Sequence, residues 1–467
     1  MTTFFSLAVV ALAAADSPDV VLIMADDLGY GDVSLYHENN PLWPDAPPPS
    51  VKTPNLDELG RRGVRFLDFH SNGPVCSPTR AALLTGRYQQ RAGLPMVIYA
   101  DPKQSTHRHG LAPAEVTLAD ALRDAGYATA VFGKWHLGYD VAFNPLRNGF
   151  DEFCGYVSGN IDYFTHLDRM GQLDWWEGER LRPQNGYSTD LISDGAAARL
   201  DAADPDERLF VYVAHECPHD PIQPPDGEPV RRLGHVGNMV TPKGQQRDDF
   251  RRAMIEAMDA GIGRIADAAA RRAKLTGRPV VLIFCSDNGA VPFGDNGPWR
   301  GNKGQLYEGG HHVPLLIATF GRELTPRDSR RLSASMDLMP TVLELAGVAA
   351  PTGLDGVSLA IELRGGPDAV AGPDLFFGYR EQYAMRRDAW KLVLPRKGSA
   401  ELYDLAADPS ESEDLAESQP DRLAEMTAAL RRWRKDVEQS ARVQPGQPQF
   451  EADGFYTEGA SGLVPGK

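Results

Sequence analysis

The sequence predicts an α/β fold: a mostly parallel sheet flanked by helices, with a smaller α+β domain at the C-terminal end. Three observations carry this. Four short apolar runs rich in β-branched residues lack the alternation of a half-solvated strand and so read as buried parallel strands. Capped helical patterns separate them, as crossover connections require. Beyond about Thr352 the texture changes to short strands and turns followed by a single helix.

The first strand is "DVVLIMADD", Asp19–Asp27. Next, "TPNLDELGRRG" predicts a helix with Thr53 as N-cap, Pro54 at the first helical position and Gly63 beyond its end. In "PVCSPTRAALLTGRY", Pro74–Tyr88, Pro78 marks a place where a helix begins, just after Cys76. "VTLADALRDAGY" opens at Thr117 and stops at Gly126, directly before the second strand, Tyr127–His136. The third strand is Leu209–His219. An amphipathic segment from about Arg247 to Lys274 leads into the fourth, Pro279–Gly289. The C-terminal part offers strands and turns over Ala384–Pro395 and Ala400–Ala416, then a helix from about Pro420 to Val437. The expected division is a main domain over residues 16–351, a smaller domain over 352–440 and an extended Gly- and Pro-rich tail over 441–467.

A net charge of -16 over 467 residues argues against a broad grip on nucleic acid or an anionic membrane. An anionic substrate would need a local basic pocket. Four cysteines make no disulfide framework, and Cys217 and Cys285 fall in apolar runs that suit small buried thiols. The apolar run from about Phe4 to Ala15 reads as a secretory signal peptide over residues 1–15, implying a secreted, periplasmic or lumenal protein. The alternative is a first strand extended at its N-terminal end. No other run is long and apolar enough for a transmembrane helix.

The polar residues of the four strands share one location. Asp26, Asp27, Lys134, His136, His219, Asp287 and Asn288 all lie at C-terminal strand ends, where open α/β sheets form their ligand crevice. Three carboxylates and an amide oxygen suit a hard cation, Ca²⁺ or Mg²⁺. The competing readings are turn and cap chemistry for Asp26-Asp27 and a hairpin for Asn288-Gly289, though no alternating strand follows the latter. Lys134 and His136, two apart, share a side if the strand continues. Lys303 sits in a glycine-rich loop and His219 between prolines. With Arg80, these cations around a divalent ion make a site for a tetrahedral oxyanion. Trp175 and Trp176, in the aromatic and polar insert Gly159–Leu181, either stack on a sugar or pack on the sheet. Cys76 stays open at this point: buried thiol, metal ligand, nucleophile or modified residue.

"CSPTRAALLTGRY", with "MADDLGYGD", "TPNLDELGRRGVRF", "GKWHLG", "FCSDNG", "MDLMPTVLELAG" and "ELYDLAADPSE" in this order, resembles the type I sulfatases, a branch of the alkaline-phosphatase superfamily. The resemblance implies an alkaline-phosphatase-like fold and an arylsulfatase-like hydrolase acting on a sulfate ester, foremost of a sulfated carbohydrate. It implies that a formylglycine-generating maturation enzyme oxidises Cys76 to Cα-formylglycine. It implies Asp26, Asp27, Asp287 and Asn288 as Ca²⁺ ligands, completed by the modified residue 76. Asp287 would take the proton of the attacking hydroxyl, and Arg80 would hold that hydroxyl. Lys134 and Lys303 would neutralise the sulfate, His136 would collapse the sulfated intermediate and His219 would act as general acid. Two departures stand near the expected pocket: "HECPH" in place of "NAPH", and His311-His312 where many relatives carry Arg. Both histidines are expected to join Lys134, His219 and Lys303 in binding substrate. Two alternatives remain: a formylglycine-dependent phosphate or phosphonate monoester hydrolase, and a sulfated-glycan-binding homologue that keeps its thiol. A binder, however, has no need of both an acid and a base.

Overall fold

A computed structural model describes residues 17–237, 242–366 and 372–441. The expected signal peptide and nearly all of the expected tail lie outside the described residues. The strands in chain order are β1 (Asp19–Ala25), β2 (Val64–Phe66), β3 (Phe69–His70), β4 (Tyr127–Lys134), β5 (Glu152–Tyr156), β6 (Trp176–Glu177), β7 (Arg180–Leu181) and β8 (Arg208–Ala214). They continue with β9 (Val280–Ser286), β10 (Leu315–Phe320), β11 (Arg327–Ser329), β12 (Ser333–Ala334), β13 (Leu375–Tyr379), β14 (Gln382–Arg387), β15 (Trp390–Leu394) and β16 (Glu401–Asp404).

Ten strands form one sheet in the order β11-β2-β10-β9-β1-β8-β4-β5-β6-β7. Its centre, β9-β1-β8-β4-β5, is parallel throughout, so all five C-terminal ends open on one edge. Four of those strands are the ones the sequence predicts. Strand β1 shows why they are continuously apolar: Val21, Ile23 and Ala25 enter one core while Val20, Leu22 and Met24 enter another. The sheet is covered on both faces.

Eight helices carry the cover among the described residues: α1 (Pro54–Arg62), α2 (Cys76–Thr85), α3 (Leu118–Asp124), α4 (Ser188–Ala202), α5 (Gly244–Thr276), α6 (Leu338–Ala346), α7 (Ala360–Leu363) and α8 (Pro420–Gln439). Helix α1 has Thr53 and Gly63 at its caps, as expected. Helix α3 opens with a reciprocal box in which Thr117 Oγ1 accepts from Asp120 N and Thr117 N donates to Asp120. Cores of α1, α4 and α5 lie on one face, and of α2, α3 and α6 on the other. No helix among the described residues is long and apolar enough to cross a membrane.

Strands β13 to β16 form a separate antiparallel sheet on which α8 packs. The core between them also takes Val75, Ala82 and Tyr88, which belong to or flank α2, and Leu306. The small sheet is therefore built against the helix that begins at Cys76.

Candidate active site

Cys76 is the first residue of α2 and is 2 % exposed. All ten residues of this helix are buried, so its start is held rigidly at the sheet edge. Cys76 Sγ lies 3.3 Å from Asp26 Oδ1 and 3.6 Å from Lys303 Nζ. Burial and the charge of Asp26 push its thiol well above the ordinary range. An unmodified Cys76 would remain a thiol there and make a poor nucleophile.

Asp26 and Asp27 follow β1, and Asp287 and Asn288 follow the adjacent β9. Asp27 has a φ of 63°, a conformation rare for a residue with a side chain and typical of functional turns. Lys134 ends β4 and pairs with Asp26. Arg80, one turn into α2, places its fork on Asp287 at 2.8 Å and reaches Asp26 at 3.6 Å. Lys303 Nζ is 2.6 Å from Asp27 Oδ1. Three carboxylates thus face three cations, all buried but Lys303, which reaches the solvent-facing side. Although burial opposes it, Lys303 and His219 hold the Asp27 carboxyl well below the carboxylate range. Burial and the neighbouring Asp26 push Asp287 up to about 6.

The imidazoles are fixed by carbonyls, which sets their tautomers. His136 Nε2 donates to Ile98 O at 2.8 Å, leaving Nδ1 as a buried acceptor without a partner among the described residues. The strand does not continue as expected. It ends at Lys134, and His136 turns away with a φ of 54°. His219 Nδ1 donates to Asp220 O at 2.9 Å, so Nε2 faces Asp27 Oδ2 at 3.8 Å. Burial and Lys303 pull His219 down to about 4.

Cys76, His136, His219 and Lys303 line one cavity of about 290 Å³. Tyr99, Asn160, Arg169 and Tyr379 complete its wall, and no carboxylate lines it. Asn160 and Arg169 lie in the insert Gly159–Leu181 that the sequence singles out, while Tyr99, in a loop, and Tyr379, at a strand end, carry no signal of spacing. Trp175 and Trp176 are buried, Trp175 against His166 and Trp176 donating to Asp174, and pack in the fold rather than at the cavity.

His311 and His312 do not reach this cavity, contrary to the expectation that they bind substrate. Both are buried, turned inward after the Glu308–Gly310 turn into a charged cluster under the small sheet. The cause is Glu308, a buried carboxylate that gathers partners: His312 Nδ1 at 3.0 Å, Arg386 at 2.5 Å and Lys391 Nζ at 2.6 Å. Lys391 Nζ also lies 2.8 Å from His311 Nε2. Asp68, His70, Glu308 and His312 have metal-ligand chemistry and lie close together. Their carboxylates, however, are already answered by Arg386 and Lys391.

This cluster braces the loop that carries Lys303. Lys303 N donates to Ala290 O and Gly304 N to Pro74 O, joining the loop to β9 and to the start of α2. From the other side Arg300 donates to Tyr403 Oη and Glu411 O, Tyr307 Oη donates to Glu401, and Glu308 N donates to Glu411 Oε2 at 2.8 Å. Gly289 permits the contact: a Cβ there would sit 1.9 Å from Gly309 O.

A parallel α/β sheet with acidic strand ends, a helix opening at a buried cysteine, a buried lysine beside it and a second lysine lining the adjoining cavity defines an esterase of anionic, tetrahedral esters. The sulfatase family model matches residues 18–348, and the model for the C-terminal part of N-sulphoglucosamine sulphohydrolase matches residues 299–439. The chain belongs to the sulfatase family and is a sulfuric ester hydrolase. It is 32% identical over 439 residues to arylsulfatase A of Bos taurus, covering 85% of this chain and 79% of that one. It is 30% identical over 388 residues to N-acetylgalactosamine-6-sulfatase of Canis lupus familiaris, covering 76% and 68%. Among solved structures, Ps i-CgsB in complex with k-i-k-neocarrahexaose has a TM-score of 0.76 at 24% identity, over 91% of this chain and 94% of that one. The phosphonate monoester hydrolase of Agrobacterium radiobacter has a TM-score of 0.63 at 20% identity, over 90% and 96%, so the fold is shared beyond sulfate chemistry.

Proposed function

We propose that the protein hydrolyses a sulfate ester of a sulfated carbohydrate, with residue 76 converted to Cα-formylglycine by a maturation enzyme and Ca²⁺ as its cation. The reading of the substrate as a carbohydrate is supported by the N-acetylgalactosamine-6-sulfatases among the relatives and by the carrageenan-derived oligosaccharide held by Ps i-CgsB. Delivery to the periplasm, a lumen or the exterior rests on the apolar residues 4–15.

The residues present fit the cation. Asp26, Asp27, Cys76 and His219 bring ligand atoms within 4.8 Å of one another. Asn288 Oδ1 is buried without a partner, as a carbonyl oxygen reserved for a metal would be. Asp26, Asp27, Asp287 and Asn288 would hold the ion, and the oxygen-rich set suits Ca²⁺. In such a site the hydrated formylglycine supplies the attacking oxygen and the ion supplies positive charge beside it.

The chain's own groups do the rest. Asp287, made more basic by burial and by Asp26, takes a proton from the attacking group, while Arg80 keeps its carboxylate oriented. Lys134 and Lys303 meet the sulfate oxygens. Nε2 of His219 protonates the leaving alcohol; an anionic ester between it and Lys303 offsets the Lys303 charge that, with burial, lowers its affinity for protons. Nδ1 of His136 accepts the proton released when sulfate departs.

The observation that carries this reading is Cys76 at the head of α2, set in a carboxylate-free cavity wall with Lys303, His136 and His219. Sulfate release should be measured across position-defined sulfated saccharides, with phosphate monoesters as controls. The reading predicts turnover of at least one sulfated saccharide well above every phosphate ester. Faster turnover of the phosphate esters would overturn it.

A further inference from the structure

We propose that Arg169 and Arg380 form a subsite at the cavity mouth for a second anionic group on the saccharide that carries the scissile sulfate. The substrate is then a polyanionic glycan, its second charge a carboxylate or another sulfate. This rests on the sulfatase reading above and adds the chemistry of the sugar's neighbour.

Arg169 lines the cavity of Cys76, Lys303 and the two histidines, and it is exposed. It sits in a turn built to present it: Asp168 Oδ1 accepts from Met170 N at 2.9 Å and from Gln172 N at 2.8 Å. That carboxylate is thus engaged with backbone, and Arg169 has no ion pair or side-chain hydrogen bond among the described residues. Arg380 approaches from the other domain. It is the first residue of the two-residue loop between β13 and β14, where Tyr379 pairs with Gln382. Its φ of 56° is the left-handed conformation that such a tight hairpin requires, and it fixes where the side chain leaves the turn. Its guanidinium lines the adjoining cavity with Gln90, Tyr383 and Trp433, and reaches this one only through Tyr99 and Tyr379, whose hydroxyls it faces, lying 5.2 Å from the Tyr379 ring centroid.

Charge makes the pair informative. The chain carries 64 acidic and 48 basic side chains, yet neither arginine has an acid partner among the described residues. The next acidic residue, Glu381, is taken by Arg396 at 3.0 Å. One forked donor with its charge unmet thus lines a cavity that holds no carboxylate, and a second stands behind the tyrosines of its wall. A planar guanidinium matches the paired oxygens of a carboxylate or a sulfate, which a hydroxyl of a neutral sugar does not offer. The tyrosines between them give a sugar ring a surface to lie on.

The test uses the converted enzyme and three disaccharides with the same scissile sulfate: one with a neutral neighbouring sugar, one with a uronate neighbour and one with a second sulfate on the neighbour. The parent enzyme is expected to favour at least one doubly charged substrate, and that preference should shrink as salt is raised. Arg169→Ala and Arg380→Ala should each lower the ratio of kcat/KM between doubly and singly charged substrates by about 5- to 10-fold, mostly through KM. Lysine at either position should restore only part of the ratio, because it returns the charge and not the fork. A preference for uronate, for the second sulfate or for both supports the subsite and identifies its anion. An unchanged ratio in both variants, or an equal fall on all three substrates, would overturn the subsite alone. No sulfate released from any of the three by the parent would overturn the sulfatase reading with it.

Discussion

Cys76 combines three properties that together explain its chemistry. It is buried, it touches Asp26 and Lys303, and its thiol is held in the protonated form. Conversion to an aldehyde is what gives position 76 a competent nucleophile. Cys76→Ala is therefore expected to lower sulfate release by about 10³-fold or more while the thermal unfolding midpoint moves by only a few degrees. Asn288 offers the second residue-level test. Calcium binds the native state and should raise the unfolding midpoint, and chelation should lower it. Asn288→Ala should weaken calcium affinity by about 10-fold or more in calorimetry. An undiminished affinity would remove Asn288 from the ligand set. At this scale the site is legible wherever a residue follows a buried strand, as Asp26, Asp27, Lys134, Asp287 and Asn288 do. Asn160 and Arg169 fall in the aromatic and polar insert Gly159–Leu181 that the sequence singles out, though not at the tryptophans it points to, whereas Tyr99 and Tyr379 are invisible because a non-periodic loop and a distant hairpin bring them to the wall. His311 and His312 mislead for a related reason: their sequence neighbourhood includes Lys303, but a single turn at Glu308–Gly310 sends them the other way.

At the scale of elements, three devices position the chemistry: parallel strand ends, the buried start of α2 and the braced loop of Lys303. The first two follow from apolar runs and capping residues, and the sequence predicts them within a few residues. The antiparallel strand β10, the edge strand β11 and the loop brace depend on long-range pairing, such as Glu308 with Lys391, and no local pattern encodes them. The brace carries its own prediction. Lys391→Met removes a cation that holds Glu308 without touching the cavity, and should lower kcat by about 10-fold if it acts by positioning Lys303. In a Lys303→Ala background the same change should cost little further activity. Fully additive losses would show that the small sheet contributes only general stability.

The whole molecule is an acidic chain that gathers Arg80, Lys134 and Lys303 at one sheet edge, so that an anionic ester meets its attraction at the site and not across the surface. Its stability should report one buried acid of the "HECPH" segment. Burial pushes Glu216 up to about 8, with Ser188 donating to it. The native state then keeps a proton that the unfolded chain releases nearer the ordinary glutamate range. Stability should fall as pH rises between about 5 and 8, and Glu216→Gln should flatten that part of the profile in thermal unfolding. A slope unchanged by the substitution would assign the loss to other groups. The central claim concerns residue 76, and it is tested most directly by preparing the protein with graded conversion by a formylglycine-generating enzyme. Peptide mass spectrometry gives the converted fraction, and sulfate release from one sulfated saccharide gives the rate. The account predicts a rate proportional to the fraction carrying formylglycine and vanishing with it. Undiminished sulfate release from protein in which Cys76 is entirely thiol would contradict it.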